Sequence, residues 1–147
     1  MDVYAIYDTT TGNIVRKVTV TPGQNTDTAA ANCDSGQTYL LVAGDFDPAL
    51  YYIDTAGPTL TLRVLLNTVA TWSATTVVAD GISTITLSGL PNPSTIQVIN
   101  SPLDVALIHD FVVTDGSLVF ATSSVGSYTI NAQSFPYADF SQDITAT

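Results

Sequence analysis

The chain has 147 residues and a formal charge of −10, with Arg16, Lys17 and Arg63 its only bases and aspartate its only acid. That balance excludes the cationic footprint needed to neutralise phosphates, so neither nucleic acid nor an anionic membrane is an expected partner. Apolar residues make up 46% and charged residues 11%, the reverse of a disordered chain, and the scarcity of Glu, Lys and Arg disfavours long helices.

Val3 to Tyr7 alternates and reads as a strand, followed by the turn Asp8-Thr9-Thr10-Thr11-Gly12-Asn13. Ile14 to Val20 alternates again, with Ile14, Arg16, Val18 and Val20 expected on one face. Two alternating runs across a Gly-containing turn predict a β-hairpin, and Gly12 is placed for a positive φ. Pro22-Gly23 ends it. Asn25 to Asn32, with Ala29-Ala30-Ala31 and an Asn25 or Thr26 cap, predicts a helix of about two turns. Gln37 to Val42 and Tyr51 to Asp54 are further strands, separated by the turn Gly44-Asp45-Phe46-Asp47-Pro48. Residues 1–57 thus form a small N-terminal β-rich docking unit. Beyond Thr55-Ala56-Gly57-Pro58, residues 58–66 are a connecting strand, with Leu60, Leu62, Val64 and Leu66 on one face.

From about Asn67 the pattern is short strands between turn residues every 8 to 12 positions, the signature of a sandwich. Thr75 to Ala79 ends at Asp80-Gly81, and Ser83 to Ser88 alternates Ile85 and Leu87 against threonine and serine. Gly89-Leu90-Pro91-Asn92-Pro93 turns the chain into Thr95 to Ile99. Ala106 to Thr114, Ser117 to Thr122, Gly126 to Ala132 and a last stretch ending near Ile144 complete roughly seven strands over residues 67–147.

The order Ala79-Asp80-Gly81, Ser88-Gly89-Leu90-Pro91, Thr114-Asp115-Gly116 and Gly126-Ser127-Tyr128-Thr129 resembles bacterial and phage Ig-like domains. Phe135-Pro136-Tyr137 after the late strand is similar to small virion proteins of tailed phages, and Tyr4 to Val15 resembles the start of phage tail-fibre proteins. The resemblance implies a mainly β fold, the N-terminal unit with its one short helix preceding a C-terminal Ig-like antiparallel β-sandwich. Antibody-type domains hold a cysteine pair around a buried tryptophan. This chain has only Cys33, and Trp72 lies near the start of the second unit, where it is expected as a core or inter-unit anchor.

Catalytic chemistry finds little support. His109-Asp110 is the only His–carboxylate neighbour pair, and neighbours on a strand point to opposite faces. Without Glu, a G-x-S-x-G elbow or a second cysteine, neither triad nor zinc chemistry is indicated. Asp45, Asp47 and Asp54, with Asp80, Asp104 and Asp115 at loop tips, are candidates for a calcium site, weighed against the simpler reading of turn-forming aspartates. No cofactor is called for. Tyr4, Tyr7, Tyr51, Tyr52, Trp72, Phe135 and Tyr137 are interface candidates, since exposed aromatics suit protein interfaces and sugar stacking.

The resemblance therefore implies a non-enzymatic structural component of a tailed-phage virion, either a tail-fibre or tail-tip part or a capsid decoration protein. Its partners would be other virion proteins and further copies of itself, a trimer if it is a fibre part. The start has no basic or apolar signal region and no apolar run reaches ~18 residues. The expectation is a chain made in the host cytoplasm, without membrane insertion, and carried on the virion. The alternative is an adhesin module that binds a carbohydrate or a host-surface receptor.

Overall fold

The computed structural model describes residues 1–23, 25–100 and 108–147. It is mainly β and divides into two compact units, Met1–Arg63 and Val64–Thr147.

In the first unit, β1 (Asp2–Asp8) lies between β2 (Ile14–Val20) and β3 (Gln37–Val42) in an antiparallel sheet. Every residue of β1 from Val3 to Tyr7 is buried, because both faces of the sheet are covered. On one face Tyr4 and Val20 pack on Ala29 of α1 (Asn25–Ala31), whose fully buried methyl lets the helix approach closely. On the other, Val3, Ala5, Tyr7 and Ile14 pack with Phe46 and with Ile53 of the hairpin β4 (Tyr51–Asp54) and β5 (Thr59–Leu62). A continuous apolar run is what a strand covered on both sides requires.

The pairing of β1 and β2 shifts register between Ile6 and Tyr7, leaving Val15 without an opposite residue. This β-bulge corrects the simple alternation expected for 14–20. Ile14 faces Phe46 and Ile53, whereas Val18 and Val20 face the helix side. The adjoining turn is held by the Asp8 carboxylate, which accepts from the Thr10 and Thr11 N–H groups and the Thr11 hydroxyl. Gly12 sits at φ 77°, and its carbonyl accepts the Ile53 N–H at 2.9 Å. The segment expected as one connecting strand over 58–66 is divided. Thr59–Leu62 closes the hairpin with β4, and the chain then turns through a 3-10 turn at Leu66–Thr68. Leu66 is fully buried in the second unit while Leu62 and Val64 are exposed, so the expected common face does not form.

The second unit is a sandwich. One sheet has the order β11-β8-β6, from β6 (Thr71–Trp72), β8 (Ile85–Ser88) and β11 (Ser117–Phe120). The other comprises β7 (Thr76–Val77), β9 (Ser94–Asn100), β10 (Ile108–Val113), β12 (Gly126–Gln133) and β13 (Phe140–Ala146), in the order β10-β9-β12-β13-β7. All pairings are antiparallel except β7 with β13, which run parallel. This is the strand order of an immunoglobulin-like sandwich, with β8 and β11 against the sheet built on β9, β12 and β13. Between the sheets lies one core in which Leu66, Leu87, Ile96, Ala132 and Ile144 are fully buried and Ile130 almost so.

Tyr128, near the start of β12, supplies the tyrosine corner of such folds. Its hydroxyl donates to the Ser124 carbonyl at 2.9 Å and shares a 2.8 Å hydrogen bond with the Thr122 hydroxyl. Ile130 stands two residues on, where antibody domains place their second cysteine, so apolar packing occupies the space of the disulfide. Trp72 lies on β6, half-buried against this core, with its indole N–H unpartnered among the described residues.

Two substitutions test these placements. Gly12→Ala combines a left-handed backbone with a methyl that would overlap the Ile53 carbonyl oxygen, and a loss of about 3 kcal/mol is expected in urea unfolding. Gly57→Ala, at a position with open space around it, serves as the neutral control. Tyr128→Phe removes the corner hydroxyl and is expected to cost about 1–1.5 kcal/mol in the same measurement.

Candidate functional site

Inward and outward side chains alternate along the five-stranded sheet, and the core decides the phase. With Ile96, Ile130, Ala132 and Ile144 turned inward, Thr95 and Gln97 of β9, Asn131 and Gln133 of β12 and Ser141 of β13 are turned outward. Together with Asp110 of β10, Asp139 and Phe140 they line an open groove of about 450 Å3.

The polar side chains in the groove are joined to one another. The Gln97 amide donates to the Asp110 carboxylate at 3.1 Å and accepts from the Asn131 amide at 3.1 Å. The Gln133 amide donates to Asp139 at 2.8 Å. One end is anchored from beneath, since the buried Ser134 hydroxyl donates to the Pro93 carbonyl at 2.8 Å and the buried Ser94 hydroxyl to the Pro91 carbonyl. The first bond ties the end of β12 to the turn entering β9, and the second closes that turn on itself. A planar amide uses only part of its donor and acceptor capacity in such a chain, so oriented groups remain for a ligand.

The groove's electrostatics follow from the segregation of charge along the chain. All three bases lie in the first unit, while residues 64–147 contain six aspartates and no lysine or arginine. In the first unit Arg16 pairs with Asp34 and Lys17 with Asp45, each at 2.7 Å. The groove's lining therefore offers hydroxyls, amides and carboxylates and no lysine or arginine, while the Phe140 side chain, on the same face as its buried partner Ala132, packs on the core.

The sequence-derived candidates fall elsewhere, apart from the neighbourhood of Phe135 and Tyr137 between β12 and β13. Tyr4 and Tyr7 are corrected from interface to core, at 3% and 6% exposure, because β1 is covered on both faces. Tyr4 meets Tyr39 edge-on at 5.8 Å. Tyr51 is half-buried beside Phe46, at 6.3 Å between ring centroids, and Tyr52 is half-buried on the opposite face of the hairpin. Tyr137 packs partly on the second core, and Phe135 is 42% exposed.

The aspartates proposed for calcium serve their own turns. Asp45 accepts from Lys17 and the Phe46 N–H, Asp47 from the Ala49 N–H and Asp54 from the Ala56 N–H. Asp80 accepts from the Ile82 and Ser83 N–H groups and the Ser83 hydroxyl, and Asp115 from the Ser117 N–H. Asp104 lies outside the described residues, as does the side chain of His109, whose backbone pairs opposite Val98 in β10. Among the described residues no group of three or more His, Cys, Asp or Glu is placed to hold a metal. Burial pushes the Cys33 thiol above its ordinary pKa, which disfavours the reactive thiolate.

Sequence reasoning missed the groove because it looked for aromatic and acidic clusters. The available signal was subtler: the outward positions of three strands carry hydrogen-bonding amides and hydroxyls instead of Lys or Glu. Compared with known proteins, the chain matches no family model, no curated protein and no solved structure.

The Asp80 turn carries a pH prediction. The Ser83 N–H, followed by the Ile82 N–H and the Ser83 hydroxyl, holds the Asp80 carboxyl below its ordinary value of 3.8. A carboxyl lowered in the folded state contributes stability above its unfolded value and loses it as pH falls through the folded one. Asp80→Asn is therefore expected to lower the melting temperature near neutrality and to shrink the acid-induced loss below pH 3.8. Thermal unfolding of both proteins across an acid pH series checks it.

Proposed function

We propose that the protein is a non-enzymatic structural component of a tailed-phage virion that acts by protein–protein assembly. It would be a tail-fibre or tail-tip part or a capsid decoration protein. The sequence resemblance supplies the virion context. The observation that carries the assembly mechanism is β3, at the edge of its sheet.

The run Gln37-Thr38-Tyr39-Leu40-Leu41-Val42 contains no charge, proline or glycine, and Leu41 is 58% exposed. Edge strands are normally guarded by charge, proline or a bulge. By contrast, β2 at the opposite edge has its bulge and the Arg16 and Lys17 ion pairs. An unguarded apolar edge supports strand addition by a neighbouring chain, whether a virion protein or another copy. The acidic second unit, repelling its like, supports display of many copies without clumping.

Immunogold labelling of particles with an antibody to the recombinant chain tests the virion reading. Label on the head makes the protein a decoration, and label on the tail makes it a fibre or tip part. Absence of label from every particle ends the reading. For the mechanism, Leu41→Lys is expected to weaken assembly about tenfold in sedimentation velocity while changing stability by less than about 0.5 kcal/mol. Wild-type protein that stays monomeric alone and beside isolated particles would remove the edge-strand mechanism.

A further inference from the structure

We propose that the groove on the five-stranded sheet of the second unit is a binding site for a neutral saccharide. The inference goes beyond the assembly role and holds whether or not the protein is carried on a virion.

The lining chemistry selects the ligand class. A sugar hydroxyl is both donor and acceptor, and neighbouring hydroxyls on a pyranose ring present these functions side by side. Planar amides and carboxylates suit such a pair, because each offers two polar atoms at fixed spacing. Gln97, Asn131 and Gln133 provide the amides, and Asp110 and Asp139 the carboxylates, which accept strong charge-assisted bonds from hydroxyls. The Asp110–Gln97–Asn131 chain orients these groups before any ligand arrives, reducing the ordering cost of binding. The volume, about 450 Å3, falls in the range of small-ligand sites, about 300–1,000 Å3.

Other ligand classes fit less well. A phosphate, sulfate or acidic sugar would meet no lysine or arginine among the groove's lining residues. An apolar ligand would strand the amides and carboxylates without partners. An extended peptide laid across the groove floor finds no free backbone on β9 or β12, which are hydrogen-bonded on both sides. A cation would meet just two carboxylates among the groove's described residues, fewer than a protein calcium site commonly supplies.

The test uses the full chain, isotope-labelled, titrated with neutral oligosaccharides of glucose, galactose, mannose and N-acetylglucosamine, and with sialylated counterparts. In nuclear magnetic resonance spectra the side-chain NH2 signals of Gln97, Asn131 and Gln133 report on the groove directly. Saturable shifts of those signals are expected with at least one neutral saccharide at concentrations up to about 10 mM. Gln97→Ala and Asn131→Ala, both on the outward face, are each expected to weaken binding about tenfold with little change in melting temperature. Val119→Thr, on the outward face of β11, is the control and should leave affinity unchanged. Unmoved side-chain signals across the whole neutral panel would overturn the proposal. So would binding confined to sialylated ligands, or affinity indifferent to both groove variants while their folds remain intact.

Discussion

The second unit depends on the closing of two sheets over one apolar core. Leu87 from one sheet and Ile96, Ile130 and Ile144 from the other are removed from water almost completely. Burying each such side chain contributes about 1.5–3 kcal/mol, and a one-residue slip of any strand would turn its whole apolar set outward. Strand phase is therefore strongly determined. Once the inward residues of β9, β12 and β13 are set, the outward ones are set with them. The polar groove is thus the reverse side of the core, and its positional order comes from packing that lies beneath it.

The same principle acts differently in the first unit. There β1 is buried on both faces, by α1 on one and by Phe46 and the β4–β5 hairpin on the other. The bulge at Val15 serves this arrangement by sending Ile14 to the hairpin side while Val18 and Val20 stay with the helix. Lys17 reaches the hairpin side, donating to the Phe46 carbonyl at 3.1 Å and to Asp45. An uninterrupted alternation would not satisfy both cores. The cost is an extra residue in β2; the gain is one short strand pair that serves two apolar clusters.

Charge is distributed with equal consequence. Cations are confined to the unit with the unguarded β3 edge, while the groove-bearing unit has none. The uncharged edge strand and the polar groove therefore lie on separate units of different electrostatic character.

Much of this architecture was legible in the chain itself. The apolar run 3–7 and the alternation in 83–88 and 126–132 marked strands, Gly12 and Gly81 marked turns that adopt positive φ, and the rarity of Glu, Lys and Arg spoke against long helices. These features are local, so sequence determines them. What lay beyond it was non-local: which strand stops early at Leu62, where a bulge changes face, and which tyrosines a covering layer buries. Tyr4 and Tyr7 look the same in sequence as surface aromatics, and only α1 and the hairpin, brought from 20 to 50 residues away, make them core. The groove is the clearest case. Gln97, Asp110 and Asn131 are spread over 35 residues of chain, and the pairing of β9 with β10 and β12 alone sets them side by side. Sequence determined that these strands form and which residues face out together; the tertiary structure decided which strands are neighbours, and neighbours make the site.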